Sequence, residues 1–212
     1  MKKFTEKLER RVGQKLGLKP ERCDSAKCAA TRRPYPPGVH GTKKGRRRIT
    51  QRGQQMLERK KLMASYLLAA EALHRVVSRA RARALASEPH NVAEQLLQLL
   101  ERRLDNTVWR AGFAPSRSVA RQLVGHGHIL VNGKRLTSSS ALVRPNDVII
   151  IRPESRSKKL FEGLSRSLPK HTPPPWIEVR AAEHEAKIVG MPTADIKAIA
   201  VDFSSIIELY AS

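Results

Sequence analysis

The 212-residue chain carries 41 Lys and Arg residues against 19 Asp and Glu residues, and this net charge of +22 exceeds what solubility requires. We therefore expect a polyanionic partner and no membrane span, because no apolar run approaches the roughly 20 residues that cross a bilayer. The N-terminal sequence MKKFTEKLERR lacks the apolar core of a signal peptide, so the two cysteines are expected to be reduced thiols rather than a disulfide framework.

The N-terminal quarter is the most basic part of the chain. Residues 1–60 hold 19 basic and 5 acidic residues, a balance of +14, whereas residues 161–212 hold 5 and 7, a balance of −2. Hydrophobic residues are sparse over 2–48, which predicts a basic arm rather than a core. Within the arm, RRPYPPGVHGTKKGRRR at 32–48 combines prolines, glycines and one aromatic ring with many cations, which favours an extended path along phosphates. The alternative is a disordered, solvated tail.

The candidate polyanion contacts in this arm share a cationic or aromatic side chain. They are Arg32, Arg33, Tyr35, His40, Lys43, Lys44, Arg46, Arg47 and Arg48. Cys23 and Cys28 lie in the same arm at a spacing that allows both sulfurs to reach one zinc ion, but a structural zinc site usually has four ligands. We expect no metal or other cofactor, and these two thiols are only weak zinc candidates.

Three helices are predicted between residues 49 and 112. Thr50 can cap the first helix, which runs through QRGQQMLERKKLMASYLL, and an Ala- and Arg-rich second helix covers 68–85. Pro89 breaks the pattern, and Asn91 can cap a leucine-rich third helix that continues without interruption to a stop at Gly112.

The stretch SRSVARQLVGHGHILVNGKR at 116–135 predicts a helix, a strand and a tight turn. Ser116 can cap a helix that buries one apolar stripe and leaves Arg117 and Arg121 on another face. The apolar run at 128–131 indicates a buried strand. Asn132-Gly133 tolerates positive φ in a two-residue turn, which directs Lys134 and Arg135 back beside the helix.

The β-branched run at 148–151 predicts a second buried strand paired with 129–131. Further strand-like pieces at 176–179 and 206–210 are expected to extend this sheet. The fold class is therefore α+β, with helices packed on a short, mainly antiparallel sheet. We divide the chain into a basic arm (1–48), a helical domain (49–100), a small α/β module (101–165) and a C-terminal extension (166–212). The extension is expected to pack back on the helical domain or on the module.

The segment ERRLDNTVWRAGFAPSRSVARQLVGHGHILVNGKRL at 101–136 closely resembles the RNA-binding module named after the fourth protein of the small ribosomal subunit. That module also occurs in pseudouridine synthases, some aminoacyl-tRNA synthetases and small stress proteins. However, ERCDSAKCAATRRPYPPGVHG at 21–41 resembles the N-terminal segment of the bacterial and organellar ribosomal protein family itself, and the closing IIELYAS resembles its C-terminus. The resemblance therefore covers nearly the whole chain.

This resemblance implies a non-enzymatic binder of small-subunit ribosomal RNA that docks early in assembly, contacts neighbouring ribosomal proteins and contributes to decoding accuracy near the path of incoming messenger RNA. It implies a cytoplasmic or organellar ribosome, with no small-molecule substrate. The motif positions that face RNA fall on Arg103, Ser116, Arg117, Arg121, Gln122, His126, His128, Asn132, Gly133 and Lys134, to which the turn adds Arg135. Those that form the core fall on Leu104, Val108, Ala120, Leu123 and Val131.

The chain departs from the family pattern at its N-terminus. In zinc-carrying members two more cysteines precede the pair at 23 and 28, and Glu6 and Glu9 occupy those places here. The family's usual opening motif is also missing. The resemblance therefore implies that this chain has lost the metal.

Three alternatives remain. Arg103-Leu104-Asp105 looks like the motif around the catalytic aspartate of pseudouridine synthases, but it lies in a leucine-rich helix, where Asp105 is expected to pair with Arg102 or another nearby base. No nucleotide-binding glycine loop or hydrolase motif accompanies it. The second alternative is a free-standing RNA-binding regulator or stress factor that uses the same module. The third is binding to an anionic membrane surface.

Overall fold

A computed structural model describes residues 6–18, 20–23, 25–42, 49–86, 91–158, 161–164, 168–192 and 201–211. The chain forms two compact units, Met1–Leu96 with Asp195–Ser212 and Leu97–Ala194. None of the helices in the described ranges is long and apolar enough to cross a membrane. The predicted extension at 166–212 is thus shared between the two units, and the four-segment division stays a prediction.

The described residues form nine helices and five strands. The helices are α1 (Glu6–Val12), α2 (Pro20–Cys23), α3 (Ala29–Arg32), α4 (Gln51–Ser65), α5 (Ala70–Leu85), α6 (Val92–Glu101), α7 (Leu104–Arg110), α8 (Arg117–Gly125) and α9 (Phe203–Leu209). The strands are β1 (Ile129–Val131), β2 (Lys134–Arg135), β3 (Val148–Ile151), β4 (Ile177–Arg180) and β5 (Glu185–Ile188). Two short 3-10 turns, Pro153–Ser155 and Leu168–Lys170, follow β3.

The helices of the first unit follow local sequence signals. The Thr50 hydroxyl accepts a hydrogen bond from the Gly53 N–H at 3.2 Å, which confirms the predicted cap of α4. Along α5, Leu73 and Val77 are buried while Arg75 and Arg79 are exposed, so the helix buries one stripe and presents cations on the other side.

The C-terminal helix α9 packs against α4, and its residues correct a prediction. Ile206–Tyr210 was expected to be a strand, but Phe203 and Ile206 are three residues apart and bury one face of a helix. The Asp202 side chain caps this helix by accepting from the N–H groups of Ser204 and Ser205. The strand prediction was wrong because it relied on the β-branched pair at 206–207 and not on Asp202, whose side chain can cap a helix that begins at the next residue.

The sheet of the second unit has the strand order β2-β1-β3-β5-β4, with every neighbouring pair antiparallel. Ile129 pairs with Ile151 and Val131 with Ile149, so the predicted pairing of the two apolar strands is confirmed. The piece predicted at 176–179 also joins the sheet, as β4 beside β5. The mixed sequence EAKI of β5 carries no strand signal strong enough to have predicted it.

The predicted single helix from Asn91 to Gly112 is wrong, because it is interrupted between α6 and α7. Arg103 adopts an extended conformation and forms a β-bridge with Leu142. The Leu104 N–H donates to the Ala141 carbonyl at 2.8 Å, and the Val143 N–H donates to the Arg102 carbonyl at 2.9 Å. A loop about 40 residues downstream thus satisfies the backbone groups that the break exposes.

Helices α7 and α8 pack against the sheet around one apolar core. Four of the five predicted core positions, Leu104, Val108, Ala120 and Leu123, are buried, and Val131 is partly buried against them. Burial of a Leu or Val side chain contributes about 1.5–3 kcal/mol, so this core fixes α8 firmly on the sheet.

Candidate nucleic-acid interface

The predicted start of helix α8 is confirmed. The Ser116 hydroxyl accepts a hydrogen bond from the Val119 N–H at 3.3 Å, and Ala120, Leu123 and Val124 are buried beneath the helix. Gln122 is exposed, and Arg117 and Arg121 are partly exposed. The helix therefore carries a cationic outer face on a rigid base.

Arg117 stacks on an aromatic ring at the beginning of this face. Its guanidinium carbon lies 3.9 Å from the centroid of the Trp109 ring, and that of Arg110 lies 4.9 Å from the same centroid. The Arg117 Nε also donates to the Asn106 side-chain oxygen at 2.8 Å. Cation–π attraction and a directional hydrogen bond together fix the guanidinium plane.

A buried carboxylate connects these groups. Glu101 is 1 % exposed, and its two oxygens accept from Arg110 Nε and Nη2, each at 3.0 Å. The Asn106 side-chain amide donates to the same carboxylate at 2.9 Å. We call Glu101, Asn106, Trp109, Arg110 and Arg117 the Trp109 network. Three bonded pairs, Glu101–Arg110, Glu101–Asn106 and Asn106–Arg117, and the two ring contacts of Trp109 link these residues in a closed loop. One buried acid therefore orients both arginines.

Sequence reasoning missed Glu101, Asn106 and Trp109 as determinants of the interface. The available signal was a lone acid on the apolar face of a leucine-rich helix. An acid at such a position usually has a basic partner, because an unpaired buried charge is costly.

Arg103 does not lie on the surface where the motif placed it. It is 4 % exposed and makes a two-point contact with Asp105, with Nε–Oδ1 at 3.1 Å and Nη2–Oδ2 at 2.8 Å. The expected pairing of Asp105 with a nearby base is confirmed, and the partner is Arg103, whereas the Arg102 Nε donates to the Val143 carbonyl. The buried pair holds the break between α6 and α7 and is not available to contact RNA directly.

The turn between β1 and β2 has the predicted conformation. Asn132 and Gly133 have φ values of 50° and 75°, as a tight hairpin turn of this type requires. The Asn132 side chain donates to Asp147 at 2.8 Å and accepts from the Val148 N–H at 2.9 Å. Asn132 therefore ties the turn to the loop before β3, while Gly133, Lys134 and Arg135 are exposed.

The two predicted histidines have different surroundings. His126 is exposed at the end of α8, whereas the His128 Nδ1 lies 2.9 Å from the Ser155 hydroxyl and its ring meets Phe161 edge-on. Burial lowers the pKa of His128, and the nearby cationic groups Lys158, His126, Arg152 and Arg135 lower it further.

Of the predicted contacts in the basic arm that the structure describes, most are exposed. Arg32, Arg33 and His40 face solvent, and the Arg10 guanidinium lies 4.9 Å from the centroid of the partly buried Tyr35 ring. The Arg10 Nε also donates to the carbonyl of Arg33 at 3.0 Å, which anchors this stretch to α1. The other predicted arm contacts, Lys43, Lys44, Arg46, Arg47 and Arg48, lie outside the described residues.

The residues around the two cysteines do not fit a zinc site. Cys23 and Cys28 are buried and are not joined by a disulfide, and Glu9 is fully buried. The Glu9 Oε1 accepts from the Leu16 N–H at 2.9 Å and lies 3.9 Å from the Cys23 sulfur. Within the described ranges, no three His, Cys, Asp or Glu side chains converge to hold a metal ion. Here a carboxylate organises the loop through hydrogen bonds.

Comparison with known proteins covers nearly the whole chain. A ribosomal protein S4/S9 N-terminal domain matches residues 1–101, and an S4 domain matches residues 102–149. Proteins named "Small ribosomal subunit protein uS4" from Pelotomaculum thermopropionicum and Thermotoga maritima are each 40 % identical to this chain, over 97 % of it and 95 % of their own length. The protein of that name from Kosmotoga olearia is 41 % identical over the same shares. The chain therefore belongs to the uS4 family of small ribosomal subunit proteins.

Proposed function

We propose that this protein is a structural, non-enzymatic component of the small ribosomal subunit that binds the subunit's ribosomal RNA through the outer face of α8 and the β1–β2 turn. The observation that carries the proposal is the Trp109 network, in which a buried Glu101 fixes Arg110 and, through Asn106, Arg117.

A fixed guanidinium suits folded RNA for a physical reason. The deep groove of an RNA helix hides the base edges, so proteins grip such RNA mainly by its shape and its phosphates. Ordering a flexible side chain on binding costs about 0.5–1.5 kcal/mol, and a guanidinium held by a ring and an amide avoids much of that cost. The net charge of +22 adds attraction that does not depend on sequence.

The proposed contacts of the module are all exposed or partly exposed on this surface. They are Ser116, Arg117, Arg121, Gln122, His126, His128, Gly133, Lys134 and Arg135. Arg103 is assigned a positioning role, because it is buried and paired with Asp105. The exposed Asn132 is proposed both to contact RNA and to hold the turn through its bond to Asp147. The arm is proposed to add Arg32, Arg33, Tyr35, His40, Lys43, Lys44, Arg46, Arg47 and Arg48.

The finer parts of the function follow from family membership. We propose that the protein binds early during subunit assembly, contacts neighbouring ribosomal proteins and lies near the incoming messenger RNA, where it influences decoding accuracy. We further propose that the ribosome is the cytoplasmic one, with an organellar ribosome as the alternative. The four-segment organisation, with 1–48 as an RNA-binding arm, belongs to the same proposal.

Co-sedimentation tests the structural role directly. A tagged copy of the chain is expressed, small subunits are isolated and washed in high salt, and the tag is quantified in the particle fraction. Retention at about one copy per subunit is the expected result, because a structural component is held by contacts that match the shape of the folded RNA as well as by the phosphate attraction that high salt weakens. Loss of the tag to the supernatant, with retained binding to other RNA, would instead support a free-standing regulator.

A further inference from the structure

The β1–β2 turn contains a dipeptide that can modify itself. In an Asn-Gly sequence the backbone nitrogen of the glycine can attack the side-chain amide carbon of the asparagine, because glycine has no side chain to hinder the approach. The product is a five-membered succinimide ring, which water opens to aspartate or isoaspartate. Asn132 and Gly133 are both exposed, and a Cβ built on Gly133 meets no atom within 4 Å. Crowding by neighbouring groups therefore does not protect this turn.

The nitrogen that would attack has no competing bond. Within the described ranges, no hydrogen bond uses the Gly133 N–H, and solvent reaches the residue. A base in solution can therefore remove its proton, which makes the nitrogen a nucleophile. What remains to control the reaction is the position of the Asn132 side chain.

The Asn132 side chain is held on the side of β1 that faces β3. Its Oδ1 accepts from the Val148 N–H at 2.9 Å, and the Asn132 backbone N–H donates to the Val148 carbonyl at 2.8 Å. Val131 pairs with Ile149 one step earlier in the same ladder. The side-chain carbonyl thus takes the place of the backbone carbonyl of Asn132, which would accept from Val148 if regular antiparallel pairing continued.

The backbone leaves Asn132 in the opposite direction. The strand order is β2-β1-β3, so the chain that continues through Gly133 into β2 lies on the other side of β1 from Val148. The φ of 50° at Asn132 turns the chain that way. The side-chain amide carbon is therefore held away from the Gly133 nitrogen, because the side chain is bonded toward β3 while the nitrogen belongs to the turn toward β2.

A carboxylate fixes the other end of the side-chain amide. The Asn132 Nδ2 donates to the Asp147 Oδ1 at 2.8 Å, and the Asp147 Oδ2 accepts from the Arg144 N–H at 2.7 Å. A hydrogen bond to a charged acceptor is stronger than one between neutral groups. Both polar atoms of the amide are thus bonded, and we call the bonds from Asn132 to Asp147 and Val148 the Asn132 clamp.

We propose that Asn132 is a site of spontaneous deamidation that the Asn132 clamp controls: the amide is retained while the clamp is closed and is lost once the turn opens. Solvent base takes the Gly133 N–H proton, the nitrogen bonds to the Asn132 Cγ, and the Cγ–Nδ2 bond breaks to release ammonia, which takes up a proton from solvent. One water molecule then opens the succinimide at either carbonyl. The reaction needs no oxidant, reductant or enzyme, and the inference does not depend on RNA binding.

Deamidation is expected to act as a one-way switch. An aspartate at 132 has no donor for Asp147 and brings a second carboxylate to a contact that now measures 2.8 Å. Like charges so close repel, and they repel more strongly near a protein surface than in water. Isoaspartate also adds one atom to the backbone of the turn. A chain that has reacted cannot close the clamp again, so the modification permanently marks a chain whose turn has opened.

The first test follows the amide in the full chain. Protein is kept in mildly alkaline buffer, either folded or in urea, and mass spectrometry after digestion quantifies asparagine, aspartate and isoaspartate at position 132. We expect conversion in urea to be faster by about tenfold or more, since a barrier raised by about 1.4 kcal/mol slows a reaction tenfold. Equal rates in the folded and unfolded chains would overturn the proposal, and this comparison needs no variant.

A matched pair of variants tests the clamp in folded protein. Asp147→Ala removes the acceptor of the Asn132 amide, whereas Glu154→Ala removes an exposed carboxylate elsewhere in the same unit. Amide hydrogen exchange in β3 and β5 verifies that each variant is folded. We expect deamidation to be about tenfold faster in Asp147→Ala, because a charge-assisted bond is lost, and unchanged in Glu154→Ala. Equal rates in the two variants would contradict control by the clamp.

The consequence of the reaction is tested with Asn132→Asp, which has the sequence of one deamidation product. Asn91→Asp is the control, because it adds the same charge at an exposed asparagine that caps α6, and aspartate caps a helix as well as asparagine does. We expect a lower melting temperature for Asn132→Asp and an unchanged one for Asn91→Asp. A normal melting temperature for Asn132→Asp would refute the one-way switch.

Discussion

The guanidinium of Arg117 stacks 3.9 Å from the centroid of the Trp109 ring, while its Nε donates to Asn106 at 2.8 Å. The two contacts use different parts of one planar group, its face and its edge. A lysine ammonium could not replace both, because it is a point charge without a planar face. The surface charge at the start of α8 is thus pre-positioned by the fold.

Removing the charges on the α8 face should weaken RNA binding and its salt dependence together. For the Arg117→Ala/Arg121→Ala variant we expect lower affinity for small-subunit ribosomal RNA and a shallower plot of log affinity against log salt concentration. Each lost phosphate contact should reduce the slope by somewhat under one unit. The measurement is a filter-binding or fluorescence titration at several salt concentrations.

Ser118→Ala is the control for that variant, because Ser118 is exposed on the same helix and carries no charge. It should leave both affinity and slope unchanged. The double variant should still unfold cooperatively, since both arginines lie outside the apolar core. An unchanged salt slope in the double variant would reject this face as the binding site.

Replacing the buried acid of the Trp109 network should affect stability and binding at once. In Glu101→Gln, Arg110 loses its charged partner and Asn106 loses a carboxylate acceptor, and hydrogen bonds to charged groups contribute about 1.5–3 kcal/mol. We expect a free energy of unfolding lower by about that amount, together with weaker RNA binding because Arg117 is less well oriented. Urea unfolding and RNA titration measure the two effects.

Glu94→Gln serves as the comparison, because Glu94 is an exposed acid on the same helix. It should change stability by less than about 0.5 kcal/mol, as most surface substitutions do. A Glu101→Gln protein with normal stability and normal RNA affinity would show that the network does not organise the surface.

Local signals in the sequence predicted the parts of this fold that depend on neighbouring residues. The Ser116 cap, the Asn132-Gly133 turn and the pairing of β1 with β3 belong to this group, since each is set by side-chain type or by a continuous apolar run. These features also defined most of the candidate binding surface.

The features that were missed depend on residues far apart in the chain. The break at Arg103 needs backbone partners at 139–143, about 40 residues further along the chain. Helical propensity alone continues the helix, because leucine-rich sequence carries no sign of a loop that will compete for its backbone. The motif likewise identified Arg103 as a conspicuous base without indicating its partner.

The buried Glu9 carboxylate should stabilise the first unit, because it connects helix α1 to the loop at 13–18 through a hydrogen bond from the Leu16 N–H. In Glu9→Ala the Leu16 N–H loses its acceptor and the buried Cys23 thiol loses a neighbour. An unsatisfied donor of this kind costs about 1–3 kcal/mol, so we expect a decrease of that size in the free energy of unfolding.

Lys7→Ala is the matched control, because Lys7 is exposed on the same helix α1. Its stability should stay within about 0.5 kcal/mol of the original. Equal stability of the Glu9→Ala and Lys7→Ala proteins would mean that the buried carboxylate does not hold the 13–18 loop.

The turn that carries Lys134 should be sensitive to substitution at Gly133 for conformational reasons alone. Gly133 has a φ of +75°, and a Cβ built there meets no atom within 4 Å, so steric collision with neighbours plays no part. A left-handed conformation costs an L-residue about 1–2 kcal/mol, and a β-branched side chain resists it further. Gly133→Val should therefore lower the melting temperature and weaken RNA binding by displacing Lys134.

Gly125→Ala separates this conformational cost from the general effect of adding a side chain at a glycine position. Gly125 also has no atom within 4 Å of a built Cβ, but it lies in helix α8, where alanine is favoured over glycine by up to about 1 kcal/mol. We expect this variant to be as stable as the original or more stable, while Gly133→Val is destabilised. Thermal denaturation compares the melting temperatures of the two proteins, since both positions have room for a side chain but only Gly133 has a backbone conformation that disfavours one. A normal melting temperature for Gly133→Val would show that left-handed strain at the turn contributes nothing to the placement of Lys134.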